Sequence, residues 1–249
     1  MLSEKKITMK NKSYIGISFI ILIFGIIFIP KIIDRISNGS VVDADKLNIN
    51  QKDADTPELV YITQYGEHKK VPDFKFVNQD GDTITNKDYL GKVYVVEFFF
   101  STCQSICPIM SENLVDIQDR LKGKENFGIV SVSIDPEHDT PQVLKEYAEA
   151  HKVTNPNWNF LTGDRKKIYE MANVGFGIFA DENETVPGGF AHSGLFALID
   201  KEGYVRSRKD EFGNPLIYYR GSIKQNLSIT EEEEAPQIDE IIEDIKKLL

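Results

Sequence analysis

An α/β fold with a mixed central β-sheet flanked by helices is predicted for this 249-residue chain, on three observations. Apolar runs of strand length alternate with stretches of helical periodicity, the pattern of βαβ units. The run Val93–Phe100 (VYVVEFFF) is almost uninterrupted, as a strand buried on both faces must be. Cys103 and Cys107, the chain's two cysteines, follow that run directly, where strand gives way to helix. A cysteine pair between a central strand and a helix is a thioredoxin-like arrangement.

At the amino end, Lys5, Lys6, Lys10 and Lys12 precede an apolar run from Tyr14 to Pro30, and no charge follows until Lys31. Carried through Ile33, a helix here would be about 30 Å long at ~1.5 Å per residue, close to a bilayer core. Residues 14–33 are therefore expected to be a transmembrane anchor, with 1–13 a cytoplasmic tail and the remainder extracytoplasmic. Ser37 and Gly39 form a weak small-x-small pattern, which leaves a cleaved signal peptide as the alternative. Residues 34–67 are polar and rich in Asn, Asp and Gly, as a tether would be. Residues 68–249 are expected to form one domain.

Within it, Phe74–Val77 and Thr83–Thr85 read as strands joined by the turn Gln79–Asp82. Ile109, Leu114, Ile117 and Leu121 recur at helical spacing after the cysteines. Gly128–Ile134 reads as a second buried strand. Thr140 is a good N-cap and Pro141 a good first helical residue, so a helix is expected from there to about His151. A strand at Trp158–Leu161, a helix at Asp164–Ala172 and a hairpin of Leu195–Ile199 with Tyr204–Arg208 follow. Ile238, Ile241, Ile242, Ile245 and Leu248 share one face of a closing helix.

Composition narrows the function. The chain has 39 acidic and 29 basic residues and a formal charge of −10. Such an acidic balance argues against a nucleic-acid partner, because phosphate binding needs a Lys/Arg patch. The acidic run Glu231–Glu234 reads as a solvated loop. With two cysteines four positions apart and no others, a disulfide-stapled framework is excluded. A structural disulfide between them would close a very short loop, where the entropic gain is smallest.

The sequence Cys103-Gln104-Ser105-Ile106-Cys107-Pro108 sits at the carboxyl end of the strongest strand, where ligands of open α/β sheets collect. A helix starting here lowers thiol pKa values, and thiolates serve as metal ligands or as redox nucleophiles. Thioredoxin-like oxidoreductases typically use Cys-x-x-Cys; the three intervening residues here put both sulfurs on one helical face. Two soft thiolates select Cu(I), and an added imidazole suits Cu(II) as well. A closed zinc site needs a fourth ligand, and the sequence offers no obvious one.

The segments FFFSTCQSICPIM, SIDPEHDTPQVLKEYAEAH, NWNFLTGD and FAHSGLFALIDKEGYV, in this order, resemble the successive motifs of the Sco/SenC family. The resemblance spans about Val93 to Val205, with Tyr219-Arg220-Gly221-Ser222 as a weaker extension. It implies a thioredoxin fold, an amino-terminal anchor and copper bound by Cys103, Cys107 and a distant histidine, which by motif is His192. It also implies service to the copper-bearing subunit of cytochrome c oxidase, by delivering copper taken from an upstream donor or by reducing the target's cysteines. Many relatives carry Asp before the histidine, whereas this chain has Ala191. If that acid normally tunes the imidazole, copper affinity or redox behaviour differs here. The glycine-rich segment Gly175–Phe190 is expected to be a mobile loop able to swing His192 onto the metal.

Other candidates carry less. His68 falls in the tether, His138 in a turn, and His151 at a helix end where a cation complements the dipole. Asp135 and Asp139 read as turn and cap residues, being hard donors ill-suited to Cu(I). Met110 is a possible soft donor but reads as core. Against the metallochaperone stands a thiol-disulfide oxidoreductase using the Cys103/Cys107 dithiol. A peroxiredoxin-like peroxidase lacks its Pro-x-x-x-Thr/Ser-x-x-Cys setting before Cys103. Nothing in the sequence demands turnover of a small substrate.

Overall fold

The fold turns on the strand Val93–Phe99, whose seven residues are all buried. The structure, a computed structural model, describes residues 13–37, 59–182, 189–210, 212–224 and 235–249. The chain divides into two units, Met1–Thr56 and Pro57–Leu249.

In the first unit, α1 runs from Ser13 to Ser37 with Pro30 inside it. Proline has no N–H, so the Ile26 carbonyl loses its helical partner there. The described side chains, those of residues 17–30, are apolar apart from Ser18 and almost all exposed. Among the described residues no helix is long and apolar enough to cross a membrane. The transmembrane span expected over 14–33 is thus not a finding of the structure, which gives a helix of 25 residues.

Among the described residues, the second unit has thirteen strands. In chain order they are β1 (Leu59–Tyr61), β2 (Thr63–Gln64), β3 (Glu67–His68), β4 (Lys75–Asn78), β5 (Thr83–Thr85), β6 (Val93–Phe99) and β7 (Phe127–Ser133). After these come β8 (Trp158–Thr162), β9 (Ala180–Glu182), β10 (Phe190–His192), β11 (Leu195–Ile199), β12 (Val205–Arg208) and β13 (Tyr219–Arg220). The main sheet has the order β1-β12-β11-β6-β7-β8-β4-β5, with β13 also pairing β11. β6, β7 and β8 are parallel, and β11, β12 and β4 are antiparallel to their neighbours. This is the mixed sheet that the alternating pattern predicts.

Parallel neighbours require crossovers, and helices supply them. α2 (Cys107–Arg120) joins β6 to β7, and α3 (Pro141–Ala150) joins β7 to β8. The side chain of Thr140 accepts from the Val143 N–H at 3.4 Å, the cap that the sequence predicts. α4 (Arg165–Tyr169) continues as a wider helical turn to Phe176, past the expected end at Ala172. α5 (Ile238–Leu248) buries Ile238, Ile241, Ile242 and Ile245, as its periodicity requires.

Two expectations need correction. Residues 59–67 are not tether: β1 pairs β12 with Val60 opposite Ser207, and β2 with β3 forms a hairpin. His68 stacks on Tyr61, their rings 4.2 Å apart. Short strands of two or three residues carry too little periodicity to be read, which is why the segment looked featureless. The segment 175–190 is also not one loop. Gly175 and Phe176 close the helical turn, and Ala180–Glu182 is β9; residues 183–188 lie outside the described ones, as does the acidic run.

α5 is bolted to the sheet by a buried ion pair. Arg208 donates from Nε to Asp244 Oδ2 at 2.7 Å and from Nη2 to Asp244 Oδ1 at 3.0 Å. Tyr219 adds its hydroxyl to the same carboxylate at 2.7 Å. Asp244 is wholly buried, and without it the Arg208 guanidinium keeps only the more exposed carboxylates of Glu240 and Glu243 and the Glu240 carbonyl. Asp244→Ala is expected to cost ~3–5 kcal/mol, as such broken pairs do. Urea unfolding measures it; a loss below about 1 kcal/mol would contradict this account of how α5 is held.

Candidate metal centre

The cysteine segment is shaped by the end of β6. The Cys103 N–H donates to the Phe100 carbonyl at 3.2 Å, turning the chain sharply. α2 then begins at Cys107, two residues earlier than its apolar spacing indicates, with Pro108 in its first turn. Proline is tolerated there because first-turn N–H groups have no helical acceptor. The Cys107 N–H instead points at Cys103 Sγ, 3.4 Å away, and the Ser105 hydroxyl lies 3.5 Å from the same sulfur.

Both cysteines are free and buried. They are driven in opposite directions. The Cys107 thiol donating to the Cys103 sulfur is the main cause that holds Cys103 well below the ordinary thiol range. Burial opposes this, while His192, Ser105 and the Cys107 N–H add to it. Cys107 is pushed well above the ordinary thiol range, first by that same bond and then by burial. The pair therefore shares one proton: Cys103 is the thiolate and Cys107 the thiol.

The histidine arrives from the other side. β10 pairs with β9, setting His192 opposite Ala180. Its Nε2 lies 3.0 Å from Cys107 Sγ across 85 residues of sequence. The Phe100 ring meets the imidazole edge-on with centroids 6.0 Å apart, and Phe190 packs on Phe100. Gly194 follows with φ +64°, and a Cβ there would meet the Ser222 side chain at 2.8 Å and Ile106 Cδ1 at 3.1 Å. Glycine thus allows the chain after His192 to press against the cysteine segment. The two sulfurs and the imidazole nitrogen lie within 4.8 Å of one another.

Two thiol sulfurs and one imidazole form a soft, three-donor set, which fits a monovalent copper ion. His192 Nδ1 is buried with no hydrogen-bond partner, and Ala191 carries no acceptor. A ligating histidine usually has its second nitrogen fixed by an oxygen. This centre therefore holds its ring by packing.

All three residues singled out by sequence meet here, and the discounted ones do not. His151 packs on Tyr147, and Met110 is core. Asp139 needs correction: it is no cap but a fully buried carboxylate. It accepts from the Ser101 N–H at 3.0 Å, the Ser101 hydroxyl, the Ser133 hydroxyl at 2.5 Å and His138 Nδ1 at 3.0 Å. Phe100 and Ser105 were not singled out either, since an aromatic in a buried run and a serine in a turn carry no periodic signal.

A dithiol and an imidazole at the edge of a mixed sheet define a thioredoxin-like metal-binding or thiol-redox domain. The family model described as SCO1/SenC matches residues 62–220, and the chain belongs to that family. It is 34% identical over 138 residues to the SCO1 protein homolog of Bacillus subtilis (strain 168), covering 55% of this chain and 71% of that one. A SCO1/SenC family lipoprotein from Bacillus anthracis str. Ames is similar in structure, with 32% identity and a TM-score of 0.59 over 72% of this chain and 95% of that one. BsSco, described as having a disulfide switch and as a member of the Sco family of cytochrome c oxidase assembly proteins, is 31% identical. Its TM-score is 0.57, over 72% of this chain and 93% of that one. Yeast Sco1 with copper bound shares the fold at 24% identity and a TM-score of 0.51, over 73% and 91%.

The lowered Cys103 pKa has a kinetic signature. An ordinary thiol loses reactivity about tenfold per pH unit below its pKa, because its thiolate is the nucleophile. A thiol held well below the ordinary range keeps its thiolate as the pH falls from 8 to 5. Iodoacetamide should therefore alkylate Cys103 at a nearly constant rate over that window. A rate that falls with pH throughout would contradict the hydrogen-bonded thiolate.

Proposed function

We propose that this protein is a membrane-anchored metallochaperone whose cargo, Cu(I), is held by Cys103, Cys107 and His192. The observation that carries this reading is the meeting of two soft sulfurs and an imidazole nitrogen within 4.8 Å, from segments far apart in sequence. Loading requires both sulfurs as thiolates, so the single proton shared by the pair leaves as the ion enters. Cys103 is already ionised, and Cys107 gives up the proton that it donates to Cys103. The imidazole binds through Nε2, the nitrogen that faces Cys107. Carboxylates are absent from the donor set, which favours copper over hard divalent ions.

The target is the copper-bearing subunit of cytochrome c oxidase, in keeping with family membership and with the assembly role in the description of BsSco. An upstream donor supplies the ion. Anchoring by α1 puts the folded unit on the extracytoplasmic side, supported by the four lysines that precede the apolar run. The B. anthracis relative is described as a lipoprotein, in keeping with a membrane-anchored extracytoplasmic domain.

A second reading rests on the same thiolate. Cys103 attacks a target disulfide, Cys107 displaces the mixed disulfide, and two electrons pass to the target while Cys103–Cys107 oxidises; the pair's one proton goes with them and water supplies the second. His192 is dispensable for that chemistry. The full chain, purified in detergent and reduced, should take up one Cu(I) per molecule under anaerobic titration against a chromophoric chelator. His192→Ala should weaken binding by about tenfold or more, ~1.4 kcal/mol. Copper binding indifferent to His192, or none at all, would leave the dithiol reductase as the better account.

A further inference from the structure

The turn that follows β7 does something that neither copper binding nor the fold requires of it. Asp139 is fully buried, and its four donors come from three different places. Oδ2 takes the Ser101 N–H and the Ser133 hydroxyl; Oδ1 takes the Ser101 hydroxyl and His138 Nδ1. Ser133 closes β7, and Ser101 opens the cysteine segment two residues before Cys103. α3 makes no use of this carboxylate, because Thr140 caps it.

We propose that Asp139 is a positioning residue for the metal centre, pinning the start of the cysteine segment at Ser101 to the end of β7. The inference deepens the copper reading and rests on it. Hydrogen bonds to a carboxylate are stronger than neutral ones, and burial removes the competition of water. Two of the four bonds go to one residue, through its backbone N–H and its hydroxyl, so Ser101 has no freedom to rotate or slide. That fixes where the turn from Phe100 to Cys103 begins and hence where the Cys103 sulfur lies relative to Cys107 and His192.

The histidine side is held far more loosely by the same turn. Glu137 pairs with Arg165 at 3.1 Å, and Arg165 reaches Glu182 on β9, opposite Phe190. Glu137 is 81% exposed and Glu182 49%, and exposed ion pairs contribute little. The turn 135–139 therefore fixes the cysteines and only tethers the hairpin that carries His192.

The test compares Cu(I) affinity and thermal midpoint in the full chain for Ser101→Ala, Asp139→Asn, Ser101→Thr and, as a remote control, Ile241→Val in α5. Ser101→Ala should lower affinity about tenfold, Asp139→Asn at least as much, and Ser101→Thr should restore it, since threonine keeps the hydroxyl. Ile241→Val should lower the thermal midpoint by a few degrees with affinity within about twofold of wild type. Affinity in Ser101→Ala equal to wild type, or affinity that tracks thermal midpoint across all variants, overturns the proposal. Should the wild type itself take up no copper, the copper reading fails and the iodoacetamide rate of Cys103 in metal-free protein decides alone. A several-fold change in Ser101→Ala that is absent in Ile241→Val supports the pin, and no change overturns it.

Discussion

The centre depends on β6 being locked between β11 and β7. Hydrogen-bonded on both edges and buried on both faces, this strand has no freedom to shift register, because a one-residue slip would turn every side chain to the wrong face. Its last residues therefore deliver Phe100 and Ser101 to fixed points. From there a single tight turn sets Cys103, and the start of α2 sets Cys107. The partners of β6 then bring up the rest: β7 leads into the turn bearing Asp139, and β11 follows directly on the segment bearing His192. The three donors converge because β6 ends and its antiparallel neighbour β11 begins at the same end of the sheet.

The chemistry follows from what surrounds the two sulfurs. They share one proton, and the one that carries the charge is the one receiving the Cys107 N–H and facing the Ser105 hydroxyl. A helix amino terminus and a neighbouring thiol thus make a thiolate without any cationic side chain. The imbalance between the two cysteines suits both proposed roles, since a metal ion and a target disulfide each meet a ready nucleophile first. What separates the roles is His192. An imbalance of charge needs no imidazole, but a soft three-donor site does.

Much of this was legible in the sequence, and the reason lies in burial. VYVVEFFF and GIVSVSI are long enough and apolar enough to declare central strands, and the Thr140-Pro141 pair marks a helix start by its own chemistry. Cys103 and Cys107 declared themselves by being alone. His192 was reached by motif resemblance; spacing could not have found it, since 85 residues separate it from its partner. The β9–β10 hairpin that carries it consists of three-residue strands, too short for any pattern. Asp139 was misread because DPEHDTP looks like a turn whichever way its acids point. Only the tertiary fold buries one of them against a segment 38 residues away.

The most direct test of the central claim is copper-edge X-ray absorption on the loaded full chain, beside the same spectrum from His192→Ala. The account predicts Cu(I) with a shell of two sulfurs and one nitrogen, the nitrogen vanishing in the variant while both sulfurs stay. A shell dominated by oxygen, or one unchanged when His192 is removed, would contradict the three-donor centre.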